Sequence, residues 1–440
     1  MEQISYSRSL PVCGSYDVIV VGAGPAGCAA AVAAAKGGAK TLIVDAASAL
    51  GGMSTNGLVP WWCGFSNGGA VCTNGFAKKL LELQQAGLSE ELRHQKKLSI
   101  DPEKLKRIYD TLLEEAGAES LLDTRLADAA ASADGTVEYI VVSNKGGLSA
   151  YKAKVFVDAT GDGDLAAWAG ADFALGDEYG EMQNATMCFV LSNVNMEAYR
   201  KIQSHRPAVF PNGGKYPLIA DDHCVTTVVG ENCVAFNAGS LYGADGTDPR
   251  SVSETLTKGR RLVEQIVAAV RENLPEAYGN AVLVKTQSSL GIREGRRILG
   301  DYVLTREDYF ARRTFPDDIA RNCFHFDSHE TARERELIAQ GLFEEKSNLE
   351  TAYAPGESHG IPYRCLIPKK LKNVLTAGRC ISTERRVQAS IRVMSNCLST
   401  GEAAGSAAAL AVRQGGEVRK VDIGELRGVL RANGAELPEV

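Results

Sequence analysis

The 440-residue chain has no C-x-x-C pair, and its eleven cysteines are an odd number at irregular spacing. That excludes a disulfide framework and a paired-cysteine zinc site, and fits reduced thiols in a cytoplasm. No stripe of basic residues with interleaved aromatics occurs, and 48 Lys and Arg against 54 Asp and Glu leave a formal charge of −6. This balance argues against general affinity for nucleic acid or an anionic membrane. The first residues, MEQISYSRSLPVCGS, lack the charged-then-apolar order of a secretory signal. An uncharged run from Val18 to Ala35 is broken by three glycines and a proline, so it reads as strand, turn and helix, not as a membrane span. Internal repeats, low-complexity segments and long linkers are absent. What remains is a soluble small-molecule protein of about two or three domains.

What the sequence does contain starts with GAGPAG, Gly22 to Gly27, between a strand expected at Tyr16–Val21 and a helix at Ala26–Lys36. Gly37-Gly38 stops that helix, and a second, parallel strand runs from Lys40 to Val44. In a strand-G-x-G-x-x-G-helix unit the first glycine allows a tight turn and the second lets the backbone approach a pyrophosphate. The third lets helix and strand pack closely, and the helix N-terminus stabilises the phosphate charge. Gly22, Gly24 and Gly27 take those places. Asp45, 18 residues after Gly27, stands where an acid accepts hydrogen bonds from a ribose, and an acid without a basic neighbour disfavours a 2′-phosphate. The alternative is a structural glycine turn followed by an unrelated aspartate.

Further along, Pro102 to Gly117 is expected as a helix, with Asp101 as N-cap and an apolar stripe of Leu105, Ile108, Leu112 and Leu113. Alternating stretches at Leu126–Ala129, Val137–Ser143 and Leu148–Val157 predict a small antiparallel meander. Residues 176–285 mix strands and helices, and strand-turn-helix character returns at Asn373–Gln414, which points to a nucleotide domain split by an insertion. Three more glycine-bearing segments stand out: ALGGMSTNG after Asp45, VFVDATGDGDLA at Val155–Ala166 and NVLTAGRCIS at Asn373–Ser382. After them, RVMSNCLSTGEAAGSAAALAV is expected to enter a helix at Gly401, its amides facing an electron-rich ring edge.

Together these segments resemble the glutathione-reductase-type FAD flavoproteins. More narrowly, they resemble FAD-dependent oxidoreductases related to fumarate-reductase flavoprotein subunits and the tRNA-modifying GidA-type proteins. GIREGRRILGDYVLT (Gly291–Thr305) and PYRCLIPK (Pro362–Lys369) are similar to segments of that narrower group. The resemblance implies an α/β fold: a Rossmann-like FAD-binding domain, a parallel sheet plus a small antiparallel meander, with an inserted mixed α+β substrate domain. Residues 14–175, 286–306 and 361–440 would form the FAD domain, and 176–285 and 307–360 the cap or substrate region.

The resemblance also implies the cofactor's contacts. It places the pyrophosphate at Gly22, Ala23, Gly24, Pro25, Ala26 and Gly27, and the adenosine ribose at Asp45. Gly51, Gly52, Met53 and Ser54 line the side leading to the flavin, and Leu126 meets adenine through its backbone. Ala159, Gly161 and Asp162 close over the nucleotide. Gly378, Arg379 and Cys380 approach the ribityl chain, and Gly401, Ala403 and Ala404 the pyrimidine edge. Many relatives carry an acid where Cys380 stands. Fumarate reductases often attach FAD through a histidine near the glycine pair; GGMST has none, so the flavin is expected to be non-covalent. No second G-x-G-x-x-G unit occurs between Gly176 and Gly360. The electron partner is therefore left open: a carrier protein, a free acceptor or dioxygen.

Four arginines are candidates for gripping a carboxylate or phosphate: Arg293, Arg296 and Arg297 in GIREGRR, and Arg392. Salt bridges to Glu294, Glu384 and Asp301 are the bland alternative, and strand alternation would send Arg293 and Glu294 to opposite faces. In SHGIPYR, His359 and Tyr363 are candidate proton donors or acceptors beside Arg364. HFDSH offers His325, Asp327 and His329 as metal ligands, but no third histidine or paired cysteine stands near, and no metal is expected. Cys63 and Cys72 read as small buried hydrophobes or as redox thiols, and Trp61 and Trp62 as a pocket wall.

The expected protein is a cytoplasmic FAD-dependent dehydrogenase or reductase without nucleic-acid or membrane partners. It moves a hydride between non-covalent FAD and a small organic substrate, anionic if the arginines face it. The alternatives are a GidA-like RNA-modifying flavoprotein, a flavin monooxygenase or amine oxidase of the same fold, and a flavin-binding subunit of a larger complex.

Overall fold

A computed structural model describes residues 4–5, 7–67, 72–73, 75–86, 98–210, 215–342 and 352–439. Part of the loops carrying Cys63 and Cys72, residues 68–71 and 74, lies outside them. Strand β1 (Val12–Val21) is fully buried over its last four residues, so it reads as an apolar run without alternation. It feeds α1 (Pro25–Lys36), which has proline in its first turn, and then β2 (Thr41–Val44). Helix α2 covers Phe76–Gln85 and α3 Pro102–Ala116. The Asp101 carboxylate accepts the amides of Glu103 and Lys104, both at 3.0 Å, and Gly117 ends α3 at φ 76°. Leu105, Leu112 and Leu113 are buried and Ile108 only partly, while Tyr109, outside the predicted stripe, is buried too.

Strands β3 (Glu119–Leu121), β4 (Arg125–Ala131), β5 (Val137–Asn144) and β6 (Gly147–Asp158) follow. With β1 and β2 they form one sheet in the order β3-β2-β1-β6-β5-β4. The meander expected from alternation is present, but its third strand is also the centre of the parallel sheet. The first half of β6 pairs antiparallel with β5, from Gly147 to Lys152, while β1 runs parallel along its other edge from Ala150 to Asp158.

Strand β7 (Phe173–Leu175) precedes a second, antiparallel sheet made of β8 (Phe189–Ser192), β9 (Cys224–Gly230), β10 (Cys233–Ala238) and, after helix α4 (Pro249–Asn273), β11 (Val282–Thr286). Its order is β9-β10-β8-β11. Phe189 and Phe236 stack at 4.8 Å, and Leu262, Val263, Ile266 and Val270 of α4 complete a separate apolar core. Then come β12 (Arg296–Ile298), antiparallel to β7, β13 (Asp318–Asn322), helix α5 (Ala332–Ala339) and β14 (His359–Pro362), antiparallel to β13. Strand β15 (Val374–Thr376) returns to the first sheet, parallel to the second half of β6. Helices α6 (Arg385–Ile391), α7 (Met394–Arg413) and α8 (Ile423–Ala432) close the fold. Among the described residues no helix is long and apolar enough to cross a membrane.

Helix α7 corrects an expectation. It starts at Met394, not Gly401, so Gly401, Ala403 and Ala404 lie inside it, buried, with no free first-turn amide to offer a ring. A Cβ at Gly401 would collide with the Ala26 carbonyl oxygen, and one at Gly405 with that of Ala30. Glycines four residues apart let the backbones of α1 and α7 touch. What reads as a helix start is a packing seam.

Candidate active site

The parallel register sets Val21 opposite Val44 and Asp158, and Thr376 opposite Asp158, so four strands end at one edge. Ligands of open α/β sheets bind at that edge. The loops leaving it are the ones holding the glycine motifs, and their glycines divide the work. Gly22 has φ 94° and no room for a Cβ against the Ala159 carbonyl, and Gly27 has none against the Gly22 carbonyl. Gly24, just before Pro25 opens α1, faces open space: a Cβ there meets nothing within 4 Å. Gly51 (φ 98°) donates its amide to the Ala23 carbonyl at 2.7 Å, and a Cβ on Gly52 would stand 2.7 Å from the Gly24 Cα. The second glycine pair is thus a wall of the first loop's hollow. Ser54 Oγ donates to the Gly51 carbonyl at 2.7 Å, and Met53 lies against Gly57.

The Asp45 carboxylate accepts the amides of Ala23 and Ala47, and burial raises its pKa. The amide of Thr124 donates to the Asp45 carbonyl at 2.9 Å, which fixes the approach to buried Leu126 on β4. Asp158 shapes the next loop by accepting the Thr160 amide at 3.1 Å, its hydroxyl at 2.8 Å and the Ala166 amide at 2.8 Å. Gly378 (φ 81°) comes against α1, a Cβ there lying 3.0 Å from that of Ala26. Arg379 ties three segments together: Nε donates to the Gly161 carbonyl at 2.9 Å, Nη2 to Asp162 Oδ1 at 2.9 Å and Nη1 to the Ile292 carbonyl at 2.5 Å. Cys380 is buried, its thiol turned to the Ala377 carbonyl at 3.6 Å.

Next to Ile292, a polar cluster forms. Buried Arg293 donates through Nη1 to the Asn184 carbonyl at 2.9 Å and to Asn184 Oδ1 at 2.7 Å. Arg392 donates through Nη2 to the Asp327 carbonyl at 2.7 Å and to Oδ2 at 3.1 Å. His329 Nε2 stands 3.6 Å from Asp327 Oδ1, and the rings of His329 and His223 meet edge to face at 5.5 Å. Burial, with Arg392 adding, brings Arg293 down to about 10. Burial works against the Asp327 charge, yet His329, Arg392 and Arg293 hold that carboxyl well below its usual range. His329 falls to about 4 and His223 to about 3, by burial and then by the Arg293 charge, so both rings are neutral at pH 7. Asn184, His223 and His329 line a cavity of about 520 Å³, where Tyr242 donates to Asp221 Oδ2 at 2.8 Å.

The sequence profile of the FAD dependent oxidoreductase family matches residues 17–430. The chain belongs to that family. The protein is an oxidoreductase with FAD as its cofactor, and the open space at Gly24, walled by Gly52 and capped by the start of α1, fits a pyrophosphate. No protein with a curated description matches the sequence. Among solved structures, the chain is 13% identical to a geranylgeranyl bacteriochlorophyll reductase-like protein from Thermoplasma acidophilum, over 95% of this chain and 83% of that one, at a TM-score of 0.46. It is 10% identical to p-nitrophenol 4-monooxygenase from Pseudomonas putida, over 96% and 88%, at 0.47. It is 14% identical to an anhydrotetracycline hydroxylase from Streptomyces rimosus, over 95% and 68%, at 0.45. Likeness at that level carries nothing about the substrate.

His359, Tyr363 and Arg364 of this flavoenzyme are committed to other contacts. His359 is fully buried, its Nδ1 hydrogen-bonded to the Tyr353 hydroxyl at 2.7 Å; burial, then Arg321 and Arg312, lowers it to about 3. Tyr363 is buried in the core and donates to the Val418 carbonyl at 2.8 Å, so its hydroxyl is committed to structure. Arg364 pairs with Asp317 at 2.9 and 3.1 Å. In GIREGRR, Arg293 and Glu294 precede β12 and lie outside any strand. Arg296 pairs with Asp164 at 2.7 Å and Arg297 with Glu294 at 2.8 Å. Cys63 is a protonated thiol, pushed up to about 12 by burial with Asp327 adding, and Trp62 donates to Gln84 Oε1 at 2.7 Å. Among the described residues no group of three or more His, Cys, Asp or Glu is placed to hold a metal. Sequence reasoning named Asp327 and His329 only as metal ligands and passed over His223 and Asn184. Nothing local to HFDSH signals that its partner is Arg392.

Proposed function

We propose that this flavoenzyme moves a hydride between FAD and a small anionic substrate lodged in the cavity at His329. One observation carries the reading: Arg392 grips the Asp327 carboxylate while the buried guanidinium of Arg293, bonded to Asn184, stands near it beside that cavity. Bound FAD supplies a two-electron hydride acceptor or donor on its ring. Arg293 and Arg392 draw the substrate's anionic group in and fix its orientation. With its carboxylate beside Nε2, Asp327 keeps the His329 proton on that nitrogen and leaves Nδ1 as the base. With bound FAD as the hydride acceptor, the proton of the substrate's adjacent O–H or N–H would pass to His329 Nδ1. Asp327 then stabilises the imidazolium. In the reverse direction His329 returns the proton.

On the cofactor side, the reading gives the pyrophosphate to Gly22–Gly27 and Gly51–Ser54, and the ribose to Asp45. Leu126 takes the adenine, Ala159–Asp162 and Gly378–Cys380 the middle of the dinucleotide, and the first turn of α7, Met394–Cys397, the ring edge in place of Gly401. His359 and Tyr363 take no part in the chemistry. The test is anaerobic addition of small carboxylates, and of their neutral amides, to the FAD-loaded protein while the flavin absorption band is followed. Bleaching by a carboxylate and not by its amide supports the reading. A flavin bleached only by a reduced nicotinamide dinucleotide, with dioxygen then consumed when substrate is added, overturns it in favour of a monooxygenase.

A further inference from the structure

A second cavity, of about 600 Å³, opens beside α5 and the start of α6. It adjoins the first, since Glu334, Arg385 and Arg386 line both. Arg306 and Arg333 complete a set of four arginines around it, with Tyr179 under the Arg333 guanidinium at 3.6 Å. Four acids line it too, Asp177, Glu178, Glu334 and Glu384, and three of them accept backbone amides and are held to the wall by them. Asp177 Oδ1 accepts those of Tyr179 and Glu181, both at 2.9 Å, Glu384 that of Arg306 at 2.8 Å, and Glu334 that of Thr331 at 3.0 Å. The arginines are not matched in the same way. Arg385 shares the buried Glu294 carboxylate with Arg297, at 2.9 and 3.1 Å for one and 2.8 Å for the other, and its own buried Nη2 has no partner. Among the described residues, the side chains of Arg306 and Arg386 form no hydrogen bond or ion pair, and Arg386 is lowered by burial with the Arg306 charge adding.

We propose that this second cavity binds a phosphate-bearing group of the pyrophosphate class. A lone carboxylate is satisfied by one guanidinium fork, whereas a diphosphate carries enough charge and enough acceptor oxygens for several. The volume exceeds what one diphosphate fills, and the shared wall lets the rest of such a ligand reach toward His329. The phosphate belongs either to the far end of the substrate or to a nucleotide that brings electrons. The inference goes beyond the hydride-transfer reading and does not rest on it.

The test uses the FAD-loaded protein, so that the glycine hollow is filled, and calorimetric titration with inorganic pyrophosphate. The expected result is salt-sensitive binding that weakens at least tenfold in the double variant Arg306→Ala/Arg386→Ala and is unchanged in Arg260→Ala on the exposed face of α4. Neither variant removes a pairing of the core, and bound FAD is measured in each to confirm folding. Displacement of pyrophosphate by a reduced nicotinamide dinucleotide assigns the phosphate to an electron donor, and failure to displace it assigns the phosphate to the substrate. Absence of binding to the wild type, or equal binding to the double variant, overturns the proposal.

Discussion

Arg392 holds Asp327 twice through one nitrogen, at 2.7 Å to its carbonyl and 3.1 Å to its carboxylate, across 65 residues of chain. The grip fixes the carboxylate that His329 faces. Asp327→Asn keeps the shape but removes the charge that orients His329 and stabilises its protonated form. The expected outcome is a fall in kcat of about 100-fold with FAD content unchanged, measured by steady-state kinetics and flavin absorbance. A variant with wild-type kcat would show that Asp327 only props up the loop.

Gly24 and Gly27 separate cofactor binding from folding. A side chain at Gly24 enters open space, so Gly24→Val is expected to keep the thermal stability of the apoprotein while weakening FAD binding at least tenfold. Gly27→Val drives atoms into the Gly22 carbonyl and is expected to cost about 3 kcal/mol or more, as overpacking does. Calorimetry of the apoproteins and FAD titration check both. Equal FAD affinity in Gly24→Val would remove the pyrophosphate from that hollow.

Acid pH tests the buried histidines. His359 is lowered from 6.5 to about 3 by burial, so the unfolded chain binds its proton first. The stability it gives is complete above pH 6.5 and is lost as pH falls toward 3, by about 2 kcal/mol between pH 6.5 and 5. Glu402, raised to about 7, and Asp158, raised to about 6, act in the opposite sense: the stability they give is present at low pH and lost as pH rises through those values. A difference measurement isolates the histidine. Urea midpoints at pH 6.5 and 5 are expected to fall less in His359→Phe than in the wild type, and an unchanged difference would contradict the buried, neutral ring.

Tyr363→Phe strips a hydroxyl that only the Val418 carbonyl uses. The expected loss is about 1 kcal/mol of stability with kcat within about twofold of wild type. A large drop in kcat at full FAD occupancy would return Tyr363 to the chemistry.

The nucleotide edge was legible because its signals are local: turn glycines, an apolar strand, a proline-started helix and an acid at fixed spacing. β6 was half legible, since its first residues alternate like a meander strand while its last four are buried on both faces. The start of α7 was misplaced because Gly401 looks like a boundary, and only the approach of α1 explains a glycine inside a helix. His359 and Tyr363 stand out by residue type near a chain return, but burial takes both into the core. Arg293, Asp327, His329 and Arg392 stand out singly in the sequence, but not as one cluster with Asn184 and His223, because its members lie as far apart as Asn184 and Arg392 and are joined by tertiary contacts that no periodicity encodes.

The most direct measurement is the anaerobic rate of flavin bleaching by one anionic compound in the wild type and in Arg293→Met, with bound FAD quantified in both. The expected result is a second-order rate constant at least about 100-fold lower in Arg293→Met at equal FAD stoichiometry, as the loss of a buried, charge-assisted contact requires. An unchanged rate at equal FAD content would contradict the placement of the substrate beside Arg293.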